Sequence, residues 1–152
     1  MKKLILLLLL VGCSFKPVFS GDDTDVYVAP ISGINGIELR NALNTKFGGV
    51  HENGARYTLT VNLREPRTQN EALARSGGAT WQEVKLTASY VLKAGNKIIT
   101  KGSESAAESY TFVRYLVAAN ASYNNAVANT IRVLADKISM HVITETQKNQ
   151  NL

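Results

Sequence analysis

Residues 57–64 read Tyr-Thr-Leu-Thr-Val-Asn-Leu-Arg, a strict alternation that puts Tyr57, Leu59, Val61 and Leu63 on one side of an extended chain and Thr58, Thr60, Asn62 and Arg64 on the other. A period of two cannot lie along one face of a helix, and a one-residue slip in pairing would bury the polar set. The pattern recurs downstream, where Val84, Leu86, Ala88, Tyr90 and Leu92 alternate with Glu83, Lys85, Thr87 and Ser89. Two such strands require a sheet with one face on a core and the other open to water or to a partner. Lys93-Ala94-Gly95-Asn96-Lys97 then predicts a hairpin turn, since Gly and Asn tolerate positive φ. A further strand follows from Ile98 towards Tyr110. Its middle, Gly102-Ser103-Glu104-Ser105-Ala106-Ala107, is made of small residues that do not pin its register.

Two segments carry the helical period instead. Ile34 to Leu39 reads as a helix start: Asn35 can accept from the Glu38 amide, Glu38 can reach back, and Ile34 can staple onto Leu39. Leu39, Ala42, Leu43 and Phe47 form the buried stripe, and Gly48-Gly49 is the stop. From about 118 to about 146, Val127, Ile131, Leu134, Ile138 and Val142 recur on one face, while Asn125, Arg132, Ser139 and Glu145 take the others. Roughly 29 residues at 1.5 Å make a helix of about 43 Å, expected to outreach its sheet. Residues 147–152 are polar and read as a flexible tail.

Val26 to Ile31 is a short β-rich run that Pro30 confines to a strand end or a sheet edge. Residues 67–78 are polar without periodicity and read as a long loop. The order is therefore strand, helix, three strands, helix. The expected fold is α+β, a two-layer sandwich in which a four-stranded sheet carries two helices on one face, as a single domain over 25–146.

The N-terminus specifies the compartment. Met1-Lys2-Lys3 is followed by an apolar run of eight residues, Leu4 to Val11, which matches a signal-peptide core and falls far short of a membrane span. Leu10-Val11-Gly12-Cys13 resembles the bacterial lipobox. On that likeness residues 1–12 are removed, Cys13 takes a diacylglycerol and its new amine a palmitate-like chain, and 13–24 becomes a lipidated tether. Several acyl chains give stable attachment where one would be marginal. Cys13 is the chain's one cysteine, so no internal disulfide can form. Ser14, in place of Asp, directs such a lipoprotein to the outer membrane.

Lys and Arg total 17 against 12 Asp and Glu, and loss of Lys2 and Lys3 lowers the net charge from +5 to +3, too little to argue for nucleic acid. His51 and His141 stand far apart with no metal-ligand spacing near either, and read as satisfied imidazoles. No nucleophile elbow, phosphate-cradling glycine loop or paired-cysteine motif occurs. No catalytic residue, metal ligand or cofactor is nominated, and the chain is read as not an enzyme.

Cys13-Ser14-Phe15-Lys16-Pro17, Leu39-Arg40-Asn41-Ala42-Leu43, Tyr57-Thr58-Leu59-Thr60-Val61, Leu86 to Leu92 before a glycine turn, Gly102 and Ser109-Tyr110 together resemble the LPS-assembly lipoprotein LptE family. That resemblance implies an outer-membrane lipoprotein facing the periplasm. It would plug and help assemble an LptD-type β-barrel from within its lumen and contact lipopolysaccharide on its way to the outer leaflet. The phosphates of lipid A call for arginine, whose planar fork bonds them in pairs. The arginines outside the strand and helix cores are Arg67 and Arg75, bracketing the expected loop, and Arg114, before the last helix; these are the candidate lipopolysaccharide contacts. Two other classes stay open. One is an accessory protein-binding lipoprotein of another cell-envelope transporter or scaffold, the other a secreted enzyme with a non-standard site.

Overall fold

A computed structural model describes residues 24–52, 54–73, 79–111 and 115–150. In chain order the elements are β1 (Val26–Val28), α1 (Ile34–Lys46), β2 (Tyr57–Leu63), β3 (Arg67–Leu73), β4 (Ala79–Ala94), β5 (Lys97–Thr111) and α2 (Leu116–Gln150). They form the expected two layers, one sheet with both helices on one face.

The sheet is organised around the 16-residue β4. Along one side β5 runs antiparallel for almost its full length, from Trp81 opposite Thr111 to Ala94 opposite Lys97. Along the other side β2 and β3 lie end to end, with Leu63 opposite Ala88 and Arg67 opposite Lys85. The Arg64 amide bridges the gap by donating to the Thr87 carbonyl at 2.9 Å. Residues 57–73 thus behave as one long strand broken at Pro66, which has no N–H to continue the ladder. The short β1 pairs with β2 in parallel, Val26 opposite Tyr57, and closes that edge.

The sheet therefore has five strands rather than four, and the loop expected over 67–78 is corrected: Arg67–Leu73 is a strand, and Ala79 already belongs to the next. Its first four side chains are exposed, so no hydrophobic alternation marked it. Backbone pairing holds it, helped by Gln69 Nε2 donating to Glu83 at 3.2 Å and Gln82 Nε2 donating to Asn70 at 3.0 Å.

The core is the apolar set that periodicity selects. Leu39, Leu43 and Phe47 from α1 and Val127, Ile131, Leu134, Ile138 and Val142 from α2 are buried against Tyr57, Leu59, Val61, Val84, Leu86, Ala88, Tyr90 and Leu92. One polar position on α2 departs from the expected pattern. Ser139 is buried, its hydroxyl donating to the Asp136 carbonyl at 3.1 Å within the helix.

The start of α1 is built differently from the expected cap. Gly33 is the N-cap at φ 83°, no side chain caps the helix, and Ile34 is 85% exposed, so it does not staple onto Leu39. The chain enters through a glycine turn because the first turn packs tightly on Ile31, where a Cβ at Gly36 would lie 2.9 Å from the Ile31 carbonyl oxygen. Gly48, at φ 91°, follows the other end as the stop signal required.

The 35 residues of α2 extend beyond the expected range at both ends. At 1.5 Å per residue they span about 52 Å, close to the ~53 Å of β4 at 3.3 Å per residue. Helix and sheet are thus matched in length. The last turn is tied down by Asn149 Nδ2, which donates to the Tyr57 hydroxyl at 3.3 Å.

Candidate functional site

The two ends of this elongated sandwich differ. At one end lie the entry of the chain at Thr24, whose hydroxyl donates to the Phe47 carbonyl at 3.3 Å, the β4–β5 turn and the last turns of α2. At the other, Leu73 pairs with Ala79 and Trp81 with Thr111, so the β3–β4 and β5–α2 connections both leave from a common tip.

The tip is apolar and exposed. Trp81 is 48% exposed, and Tyr115, Leu116 and Val117 at the start of α2 are 81%, 75% and 83% exposed. The support beneath is polar and bonded. The Tyr110 hydroxyl donates to Gln82 Oε1 at 2.6 Å, Gln82 hands a second bond to Asn70, and the Tyr110 ring meets Tyr123 of α2 edge-on at 5.9 Å. Burial, followed by the proximity of Tyr123, raises the Tyr110 hydroxyl pKa above its ordinary value. Tyr110 thus stays a neutral donor, and β3, β4, β5 and α2 are locked together directly under the exposed residues.

Between the two ends no described element covers the sheet face away from the helices. Alternation and register put Thr58, Thr60 and Asn62, then Arg67 and Gln69, then Lys85, Thr87, Ser89 and Lys93 on it. Near its centre Arg64, Glu65, Arg67, Lys85 and Thr87 line a shallow cavity of about 170 Å³.

Of the three arginines singled out by sequence, Arg67 lies among the described residues. Arg67 stands in β3 opposite Lys85 on the open face, six residues and about 20 Å along the strand from Leu73. Arg75, Arg114 and Cys13 lie outside the described residues; the described neighbours of Arg75 and Arg114, namely Leu73, Ala79, Thr111 and Tyr115, are all at the tip. The tip's apolar residues were missed by sequence reasoning. Their signal was the run Tyr115-Leu116-Val117, three apolar residues directly ahead of the buried periodicity of α2.

Both histidines have structural surroundings. The His141 ring packs edge-on against Tyr90 at 6.2 Å, and His51 Nε2 lies 3.2 Å from the Phe47 carbonyl. Among the described residues no three His, Cys, Asp or Glu side chains converge into a metal-ligating set, and no helix is long and apolar enough to cross a membrane.

Among solved structures the chain is similar to a lipoprotein from Caulobacter crescentus, with a TM-score of 0.69 at 19% identity over 82% of this chain and 92% of that one. It is similar to the rare lipoprotein B of Shewanella oneidensis, with a TM-score of 0.64 at 13% identity over 84% and 98% of the two chains. The chain shares the fold of these two lipoproteins. A lipoprotein B from Nitrosomonas europaea shares this lipoprotein fold with a TM-score of 0.63 at 15% identity, over 80% and 83%. At such identities the likeness is one of fold. No family model matches the chain, and no curated protein matches it in sequence.

Proposed function

We propose that this chain is an outer-membrane lipoprotein of the LptE type, held by acyl chains on Cys13 and facing the periplasm. It plugs and helps assemble an LptD-type β-barrel, and its tip meets lipopolysaccharide in transit. The observation that carries the reading is the end-to-end asymmetry of the molecule. The chain enters at one end, an exposed apolar tip on a bonded polar base forms the other, and a polar sheet face joins them. The likeness in fold to envelope lipoproteins and the lipobox-like Leu10-Val11-Gly12-Cys13 support the same conclusion.

Each part has a physical task. Trp81, Leu116 and Val117 offer apolar surface to acyl chains, and Arg75 and Arg114, outside the described residues, are proposed to supply guanidinium groups for phosphates. The polar sheet face suits the polar interior of a transmembrane barrel. The chain binds and positions; no bond is made or broken by it.

The second reading, an accessory protein-binding lipoprotein of another envelope transporter or scaffold, is favoured by one observation. The same fold serves several lipoproteins that share under a fifth of their residues with this chain. Purification of the tagged, full-length protein from detergent-solubilised membranes separates the two. An LptD-type barrel is expected as the main partner, and recovery with an inner-membrane complex instead would establish the second reading.

A further inference from the structure

Arg67 and Lys85 stand directly opposite each other on β3 and β4. Like charges in that position destabilise a ladder. Arg64 adds a third cation to the same cavity at the β2–β3 break, whose remaining lining is Glu65 and Thr87. None of the three cations is ion-paired among the described residues. A free domain gains nothing from three unpaired cations converging on one hollow, whereas an incoming anion would gain from all three.

The rest of the sheet follows the same sign. Lys93 and Lys101 continue the positive strip on the open face, opposite Thr58 and Val91. Two carboxylates offset it in part: Glu65, in the lining of the same cavity, and Glu83, which is held by Gln69. The acidic residues of β5 point the other way: Glu104 and Glu108 pair with Ala88 and Val84, whose side chains are buried under the helices. Cations are thus gathered on the uncovered face, with short hydroxyl side chains such as Thr60, Thr87 and Ser89 between them.

We propose that this open face docks an acidic protein surface, with a carboxylate of the partner seated among Arg64, Arg67 and Lys85. The identity of the partner, the inner wall of the barrel, rests on the reading above. A strip about 45 Å long and three strands, about 14 Å, wide offers roughly 630 Å², towards the ~800 Å² per partner that a stable interface buries. Charge complementarity sets its orientation, and the hydroxyls supply directional bonds. A membrane surface fits less well, because membrane-lying faces interleave basic residues with large apolar ones, whereas here the large exposed apolar residues stand at the two ends of the strip, Trp81, Tyr115, Leu116 and Val117 at the tip and Ile98 opposite Lys93 by the β4–β5 turn.

The test uses the full-length, lipidated protein with its barrel in native membranes. Arg64→Glu, Arg67→Glu and Lys85→Glu are combined, and the control combines Lys97→Glu, Arg132→Glu and Lys137→Glu, exposed cations away from the cavity and outside the described ion pairs, an equal change in charge. The face variant is expected to recover at least tenfold less barrel than the parent, and the control as much as the parent. Recovery by the parent is expected to fall between 0.15 and 0.5 M salt. Should the triple Glu variant misfold, Arg64→Gln with Arg67→Gln and Lys85→Gln, which relieves the repulsion, is expected to fold and still to lose barrel severalfold. Equal recovery by face variant and parent would overturn the inference and leave the plug reading standing. Absence of a barrel with the parent would overturn both. A face variant that keeps its barrel but loses binding to purified lipopolysaccharide or to phosphatidylglycerol vesicles would assign the cavity to phosphate and overturn the protein partner.

Discussion

Gly102 and Tyr90 lie opposite each other on β5 and β4, and a Cβ at position 102 would stand 2.6 Å from the Tyr90 hydroxyl oxygen and 2.7 Å from the ring carbon that bears it. The Tyr90 side chain therefore occupies the space that a side chain on β5 would fill. Its ring extends beneath α2 to meet His141. The small residues in the middle of β5 are thus the counterpart of one large aromatic on its neighbour, and they let the sheet approach the long helix.

Gly102→Ala should destabilise the domain by about 1–3 kcal/mol, the usual range for overpacking a filled site, because the buried Tyr90 ring has little room to retreat. Denaturant titration measures it. A change within about 0.5 kcal/mol would mean that the ring moves freely.

Tyr90 also gives a pH signature. Burial, then the charges of Glu104 and Glu145, raise its hydroxyl pKa above the ordinary tyrosine value. The folded state therefore holds this proton more tightly than the unfolded one. The associated stability is complete below about pH 10 and is lost as pH rises through the folded-state pKa. Tyr90→Phe should flatten the alkaline limb of stability against pH while leaving a residual slope from Tyr110, which is raised in the same sense. An unchanged alkaline limb in Tyr90→Phe would contradict this.

Leu43 on α1 and Ile131 on α2 are fully buried in the core between the helices and the sheet. Truncation of either to Ala should lower stability by about 2–5 kcal/mol, from lost burial plus the cavity left behind. A loss under about 1 kcal/mol at either site in urea titration would mean that the helix closes over the gap.

The anchor has its own chemistry. Cys13→Ala removes the thiol that would take the diacylglycerol, so an uncleaved or mis-sorted precursor is expected in membrane fractions. A mature, outer-membrane-located Cys13→Ala protein would refute the lipid anchor.

Periodicity read well wherever one face of an element is buried. Tyr57 to Leu63 and Val84 to Leu92 meet the core on every second residue, and Val127 to Val142 on every helical repeat, so strands, helices and core were all visible. It failed where tertiary context replaces burial. β3 carries exposed polar side chains from Arg67 to Asn70, and its place is decided by hydrogen bonding to β4, which no local pattern records. The start of α1 carried a plausible capping sequence at Asn35, but close packing of Gly36 on Ile31 moved the turn to Gly33. The candidate site was legible only in part. The polar sheet face followed from alternation, whereas the meeting of Arg64, Arg67 and Lys85 depends on the break at Pro66 and on a strand that sequence reasoning did not see. The tip depends on two connections converging from distant parts of the chain.

The barrel-plug assignment is tested most directly by native mass spectrometry of the tagged protein extracted in detergent from outer membranes. The expected species is one copy of this chain with one β-barrel, the chain beginning at Cys13 and carrying the added mass of a diacylglycerol and an amide-linked acyl group. A chain that flies alone, in a multimer of itself, or without lipid on Cys13 would contradict the assignment.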